Sequence, residues 1–181
     1  MNISSAIAKG SKILKKNLIP NSQLDSEILM AKTINKDRNY ILLNSNNILN
    51  ENNQNNFYKL IESRSLGNPI AYLTNKKFFW NSEFFITNDT LIPRPDTELI
   101  VENSLRITKY KNKINILEIG VGSGCIIISI LKERKKSYGT GIDISQKNQS
   151  KRILDVGVGS GCLSISILKE RLYCKCDAID L

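Results

Sequence analysis

Apolar residues at helical spacing dominate the first 43 residues of the chain. The pattern predicts a helix that Ser4 caps and Pro20 ends, followed by a second helix that Asn21 or Ser22 caps. Asp37 is expected to start a short third helix around residues 40–43. The positions expected to share a buried face are Ile7, Gly10, Leu14 and Leu18 in the first helix and Leu24, Ile28 and Ala31 in the second.

A polar stretch separates these helices from the next apolar segment. Residues 44–56 include eight Asn and predict a polar loop. Phe57, Leu60 and Ile61 then indicate a helix that ends near Gly67, with Pro69 beyond it as a stop signal.

The middle of the chain changes from helical to strand patterns. Residues 78–80 and 83–87 predict two short strands joined around Asn81-Ser82. The run Leu-Ile-Pro-Arg-Pro-Asp at 91–96 contains two prolines and cannot be regular helix, whereas residues 97–105 can.

From residue 114 the pattern is typical of a nucleotide-binding crossover. Residues 114–119 form a nearly continuous apolar run, as expected of a parallel strand covered on both faces. A helix is expected over 125–135 and a second short strand over 141–144. A strand, a glycine loop, a helix and a strand in this order make half of a Rossmann-like unit.

This unit occurs twice. Residues 116–144 align without gaps to residues 153–181 at an offset of 37, with 17 identities in 29 positions. One option is that the second copy supplies strands to a small four-stranded parallel sheet, although the remaining edges of that sheet would be exposed. Duplication inside the reading frame is the favoured explanation, and two tandem ligand sites are the alternative.

Composition excludes several classes of function. The chain has no His, so it cannot build a Ser-His-Asp triad or a His-zinc site. Its four Cys are expected to be free thiols, and no metal site is predicted. The net charge of +9 is spread along the 181 residues and favours a solvated basic surface over direct nucleic-acid binding. No stretch suits a membrane span or a signal peptide, so a cytoplasmic location is expected.

The glycine loop carries the ligand chemistry. A Walker loop is excluded because no Gly-Lys-Ser/Thr follows, and a dinucleotide fingerprint would place its third glycine at Cys125, one residue later than Gly124. Glu118 followed by Gly120-Val121-Gly122-Ser123-Gly124 resembles the first motif of S-adenosylmethionine-dependent methyltransferases. Asp143, at the end of the next strand, is placed to accept hydrogen bonds from ribose hydroxyls.

Motifs that precede the glycine loop indicate which family of methyltransferases the chain resembles. Gly-Asn-Pro-Ile-Ala-Tyr-Leu at 67–73, Phe-Phe-Trp at 78–80 and Pro-Arg-Pro-Asp-Thr-Glu at 93–98 follow Leu-Asp-Ser-Glu-Ile-Leu at 24–29. In this order they closely resemble the bacterial release factor glutamine N5-methyltransferases, over about residues 3–144. The resemblance implies an α/β fold: a helical docking domain (1–74), a hairpin linker with the PRPDTE segment (75–113) and part of a methyltransferase sheet (114–181).

The resemblance also implies an activity, a cofactor and a partner. Members of the family methylate the glutamine side-chain amide in the Gly-Gly-Gln motif of peptide chain release factors, with S-adenosylmethionine as donor. A monomer that binds the release factor and no membrane is expected. Cofactor contacts would come from Gly120, Val121, Gly122, Ser123, Gly124 and Asp143. A further set comprises Glu118, Pro93, Arg94, Pro95 and Thr97, with Gly157, Gly159, Gly161 and Asp180 of the second copy.

One part of the family pattern is missing from these residues. The family holds the glutamine amide with an Asn-Pro-Pro-Tyr loop, and this chain contains no such sequence. No catalytic residue is therefore assigned, and a truncated, internally duplicated enzyme that is inactive by itself is expected. Two alternatives stay open: a non-catalytic remnant whose helical domain binds a release factor or RNA, and a methyltransferase of another substrate.

Overall fold

The structure of the chain is a computed structural model that describes residues 1–144, 151–156 and 174–179. The chain divides into two compact units, Met1–Lys76 and Lys77–Leu181. The three-part division expected from the sequence stays a prediction. In the described part of the chain, no helix is both long and apolar enough to cross a lipid bilayer.

The first unit consists of helices, as the apolar spacing predicts. Its elements are α1 (Ile3–Lys16), α2 (Ser22–Ile34), α3 (Arg38–Leu43), α4 (Glu51–Ser65) and α5 (Ile70–Thr74). A single apolar core joins them, with Ile3, Ala6, Leu14, Leu29, Met30, Ile41, Phe57 and Ile61 almost fully buried. At Gly10 an added Cβ would lie 2.7 Å from Ser26 Oγ and 2.9 Å from Phe57 Cζ, so glycine there lets α1 approach its neighbours.

One helix cap and the polar stretch differ from those predicted from the sequence. Asn2, not Ser4, caps α1, because its side chain accepts a hydrogen bond from Ser5 N. Residues 44–56 are not a loop throughout: Asn50 accepts from Asn53 N and starts α4 within the Asn-rich run. Asp37 caps α3 as predicted.

Two predicted buried faces also differ. Leu18 lies beyond the end of α1 and is exposed. On α2 the buried face includes Asp25, Ser26 and Glu27, whereas Leu24 is exposed. Each of the three buried polar side chains has a partner, since Ser26 Oγ donates to Ile7 O at 2.9 Å and the two carboxylates pair with arginines.

The second unit begins with a hairpin and continues as an α/β layer. Its elements are β1 (Lys76–Phe79), β2 (Ser82–Phe85), a single 3-10 turn (Pro95–Thr97), α6 (Glu98–Ile107), β3 (Asn115–Ile119), α7 (Cys125–Glu133), β4 (Tyr138–Ile144), β5 (Lys151–Val156) and β6 (Cys174–Ile179). The α/β class with an N-terminal helical unit is thereby confirmed.

The four-stranded sheet has the order β3-β4-β5-β6 and is mixed. β3 pairs parallel with β4, and β5 pairs parallel with β6, but β4 and β5 are antiparallel. The option of an all-parallel four-stranded sheet is therefore wrong. Only residues 145–150 separate β4 from β5, and a parallel connection needs about a dozen residues or more. The helix expected in the second copy lies outside the described residues.

Burial on β3 is also less than predicted. Ile116 packs with Val121, Ile127 and Leu131 against α7, whereas Leu117 is 61% exposed and Ile119 81% exposed. The prediction that both faces are covered is wrong for the described part of the chain, where α7 covers one face.

Candidate cofactor-binding site

The loop between β3 and α7 is built on three glycines with left-handed backbone. Gly120, Gly122 and Gly124 have φ of +80°, +53° and +74°, a region that other residues adopt at a cost. A Cβ added at Gly120 or Gly122 would meet no atom within 4 Å, so the space over the loop is open. The backbone conformation, rather than crowding, requires glycine at these two positions.

The loop is fixed on its inner side by β4. Gly120 N and Val121 N both donate to Ile142 O, at 2.7 and 3.2 Å. The Val121 side chain is buried over Gly141, where an added Cβ would lie 2.6 Å from Val121 Cγ2. Gly141 therefore makes room for the loop. A glycine inside a strand is a sequence signal of such a close approach and could have revealed this role.

Asp143 reaches the loop directly. Its Oδ2 accepts a hydrogen bond from Gly122 N at 2.5 Å. The sequence predicts that Asp143 accepts from ribose hydroxyls, and in the structure its carboxylate holds the middle glycine of the loop. A carboxylate has about four acceptor sites, so one carboxylate can serve both a loop amide and a ribose hydroxyl.

Glu118 connects β3 to the first turn of α7. Its Oε2 accepts from Ile127 N at 3.0 Å. Burial raises the pKa of the Glu118 carboxyl to about 7, and the charge of Asp143 adds to the rise, while the hydrogen bond from Ile127 opposes it. Burial likewise raises the pKa of the Cys125 thiol at the start of α7. This cysteine is buried and is suited to packing rather than to reaction.

The raised pKa of Glu118 predicts pH-dependent stability. A carboxyl whose folded pKa exceeds its unfolded pKa stabilises the fold at low pH, and that stability is lost as pH rises through the folded value, about 7. We expect the free energy of unfolding to fall by about 2 kcal/mol between roughly pH 4.5 and pH 7.5, a value reduced from the full shift because solvent screens this partly exposed carboxyl. The fluorescence of Trp80, the single tryptophan, during urea unfolding measures this in the second unit.

Glu118→Gln should flatten this pH dependence, because the amide oxygen still accepts from Ile127 N but does not titrate. The matched control is Glu102→Gln on α6, where the carboxyl is exposed. This control should keep the wild-type slope. Equal slopes in the wild type and the Glu118 variant would contradict the assignment.

The Pro93–Glu98 segment is anchored to the hairpin. Pro93 is buried, and Arg94 and Pro95 are exposed. Glu98 Oε1 accepts from Trp80 N at 2.7 Å, where Trp80 has a left-handed φ of +52°. Whether Pro93, Arg94, Pro95 and Thr97 contact a cofactor stays a prediction.

The hairpin is also fastened to α7, which the sequence did not reveal. Trp80 Nε1 donates to Glu133 Oε1 at 3.1 Å, and Lys132 Nζ donates to Ser82 Oγ at 2.8 Å. Gly157, Gly159, Gly161 and Asp180 of the second copy lie outside the described residues. Among those described, no cluster of three or more Cys, Asp or Glu side chains is arranged to hold a metal ion.

A parallel strand pair with a left-handed glycine turn that leads into a helix defines an α/β protein of the Rossmann-like class. Comparison with known proteins narrows the class. Residues 5–74 match the family model described as the PrmC N-terminal domain.

Relatives match across both units. The release factor glutamine methyltransferase of Leptospira interrogans is 40% identical over 149 residues, which are 81% of this chain and 51% of that protein. That of Buchnera aphidicola subsp. Baizongia pistaciae is 36% identical over 139 residues, 77% of this chain and 50% of the relative. That of Fusobacterium nucleatum is 33% identical over 140 residues, 77% of this chain and 40% of the relative.

The family model and these relatives support the assignment to the release factor glutamine methyltransferase family that the resemblance had indicated. The chain spans about half the length of the curated relatives it matches.

Proposed function

We propose that the chain serves S-adenosylmethionine-dependent methylation of the glutamine side-chain amide in the Gly-Gly-Gln motif of peptide chain release factors. The observation that carries the proposal is the β3–α7 loop, with three left-handed glycines and the Asp143 carboxylate on Gly122 N. Relatives named release factor glutamine methyltransferase support the substrate class. A cytoplasmic monomer is part of the proposal.

The residues present fit the cofactor. The open space over Gly120 and Gly122 lets a ligand approach the backbone closely. The Asp143 carboxylate offers the acceptor that ribose hydroxyls need. When bound, S-adenosylmethionine supplies an activated methyl group on sulfur.

The chain's own residues contribute to the reaction by holding the cofactor in position. The hydrogen bonds from the loop to Ile142 O and Asp143 fix the backbone before the ligand arrives, and a fixed reactant geometry lowers the entropic part of the barrier. The proposed contacts are Gly120, Val121, Gly122, Ser123, Gly124 and Asp143. A second proposed set is Glu118, Pro93, Arg94, Pro95 and Thr97, with Gly157, Gly159, Gly161 and Asp180 in the second copy.

Binding and transfer are separable in this proposal. The four prolines are Pro20, Pro69, Pro93 and Pro95, so these 181 residues contain no Asn-Pro-Pro-Tyr to hold an acceptor amide. We therefore propose that the purified chain binds the cofactor and does not by itself methylate a release factor.

Two measurements test the proposal. Calorimetric titration should show binding of S-adenosylmethionine and S-adenosylhomocysteine but not of NAD, whose fingerprint the loop lacks. Incubation with a release factor and labelled cofactor should give no incorporation into the Gly-Gly-Gln glutamine. Absence of cofactor binding would refute the cofactor assignment, and incorporation by the chain alone would refute the separation of binding from transfer.

A further inference from the structure

A groove on the Met1–Lys76 unit is lined by none of the proposed cofactor contacts. It has a volume of about 760 Å³ and runs along one side of α1. Its lining includes Met1, Lys9, Lys12, Ile13, Lys16 and Tyr58. The groove residues are far in sequence from the glycine loop, so we infer the ligand of the groove from its lining residues.

The charged residues that line the groove are all lysines. Lys9, Lys12 and Lys16 are spaced three and four residues apart, which places them on one face of α1 and spreads them over roughly 10 Å of helix axis. No carboxylate lines the groove, and α1 contains no acidic residue. The ion pairs in the described part of the chain, Arg38–Glu27 and Arg64–Asp25, involve none of the three lysines.

The groove also has apolar lining residues. Met1, Ile13 and Tyr58 line it together with Gln54, and Ile13 is 40% exposed. The Tyr58 hydroxyl is already engaged with Met1 Sδ at 3.7 Å, and burial raises its pKa. An apolar side chain that entered the groove would remove this exposed surface from water.

We propose that the groove binds an acidic, amphipathic segment of a protein partner. Carboxylates at three- and four-residue spacing would pair with Lys9, Lys12 and Lys16, and an apolar side chain between them would lie on Ile13 and Met1. An amphipathic helix laid in a groove uses this pattern of anchors. The inference concerns the first unit alone and does not depend on cofactor binding in the second.

An RNA strand fits the groove less well. Phosphates would satisfy the lysines, but single-stranded RNA gains much of its binding energy when bases stack on aromatic faces. Tyr58 is the one aromatic residue of the lining and is half-buried against Met1. The combination of lysines with Met1 and Ile13 in one lining matches a peptide with acidic and apolar side chains.

The probe for the test is a fluorescein-labelled helical peptide of about 16 residues, long enough to cover the three lysines. It carries Glu at positions i, i+3 and i+7 and Leu at i+4. Three comparison probes replace its Glu by Lys, replace its Leu by Ser, or substitute an oligouridine for the peptide. Fluorescence anisotropy with the full chain should show binding of the Glu/Leu peptide that weakens at about 0.5 M salt, because salt screens exposed charges.

Variants locate the binding. Lys9→Glu with Lys12→Glu should weaken binding of the Glu/Leu peptide at least tenfold. Lys15 is on the same helix but outside the groove lining. Lys15→Glu, a single charge reversal, should change the affinity for the Glu/Leu peptide less than twofold. Ile13→Ser should reproduce the loss seen with the Leu→Ser peptide. Lys12→Ala with Lys16→Ala is a milder pair that keeps the test valid if charge reversal disturbs α1, and circular dichroism checks folding.

Each outcome of the peptide-binding test either supports or overturns the proposal. Preference for the Glu/Leu peptide over its Lys and Ser counterparts, lost in the groove variants and kept in Lys15→Glu, supports the proposal. Equal losses from Lys15→Glu and the groove variants would show diffuse charge attraction and overturn it. The proposal would also be overturned if the acidic peptide did not bind and oligouridine bound in a way that the groove variants abolish.

Discussion

Asp143→Ala is expected to abolish measurable binding of S-adenosylmethionine, with a loss of about 100-fold or more. The carboxylate holds Gly122 N in the structure and in the proposed complex also accepts from the ribose. Each charge-assisted hydrogen bond is worth about 1.5–3 kcal/mol, and alanine would remove the ribose bonds and release the loop together. Isothermal titration calorimetry of the full chain measures the loss directly.

Asp143→Asn separates these two roles. The asparagine oxygen can still accept from Gly122 N, so the loop should keep its conformation, while the charge is gone. We expect this variant to bind about tenfold more weakly than the wild type, because one charge-assisted contribution is lost. The exposed carboxylate of Glu102 on α6 provides the control, and Glu102→Ala should bind like the wild type. Wild-type affinity in Asp143→Ala would refute the role of this residue.

The elements of the cofactor region could be predicted because their signals are local. Three glycines within five residues indicate a turn wherever they stand, and an apolar run before them and a helical pattern after them fix the strand and the helix. The structure places β3, α7 and β4 within a few residues of the predicted bounds. The hydrogen bond from Gly122 N to Asp143 could not be foreseen, since it depends on how β4 lies beside β3.

The errors arose where distant contacts outweigh local preference. The Asn-rich run reads as a loop by composition, yet Asn50 caps α4 and the Phe57 side chain anchors that helix in the core. The predicted buried face of α2 does not include Asp25 and Glu27, and isolated charges are costly to bury. Their arginine partners, 39 and 11 residues away, make the burial possible, and no local pattern reveals a pair at such separations.

The mixed sheet shows how the repeat is used. Two units with 17 identities in 29 positions would be expected to continue one parallel sheet. The short connection of residues 145–150 instead makes β4 and β5 antiparallel. The parallel pairing within each copy is retained, as β3–β4 and β5–β6. The sequence that the two copies share thus goes with the same parallel pairing inside each copy. The length of the connection between the copies determines that β4 and β5 are antiparallel.

The second large effect concerns stability of the helical unit. Arg64 Nε lies 2.7 Å from Asp25 Oδ2, and both side chains are well buried, with 17% and 8% of their surfaces exposed. Arg64 also donates to Asn68 O at 2.9 Å. Arg64→Ala would leave the Asp25 carboxylate buried without its cation, and breaking a buried pair in this way costs about 3–5 kcal/mol. We expect a loss of about 3 kcal/mol in the free energy of unfolding.

The matched control is Arg38→Ala, because α2 presents two acid–arginine pairs of the same 2.7 Å length. The Arg38 side chain is 51% exposed, and Glu27 also accepts from Gln23 Nε2. Water and Gln23 can therefore compensate the carboxylate, and a loss of about 1 kcal/mol or less is expected. Urea unfolding followed by circular dichroism at a helical wavelength compares the two variants. Equal losses would show that burial does not distinguish the pairs, whereas a larger loss for Arg64→Ala ties the stability of this unit to a buried charge.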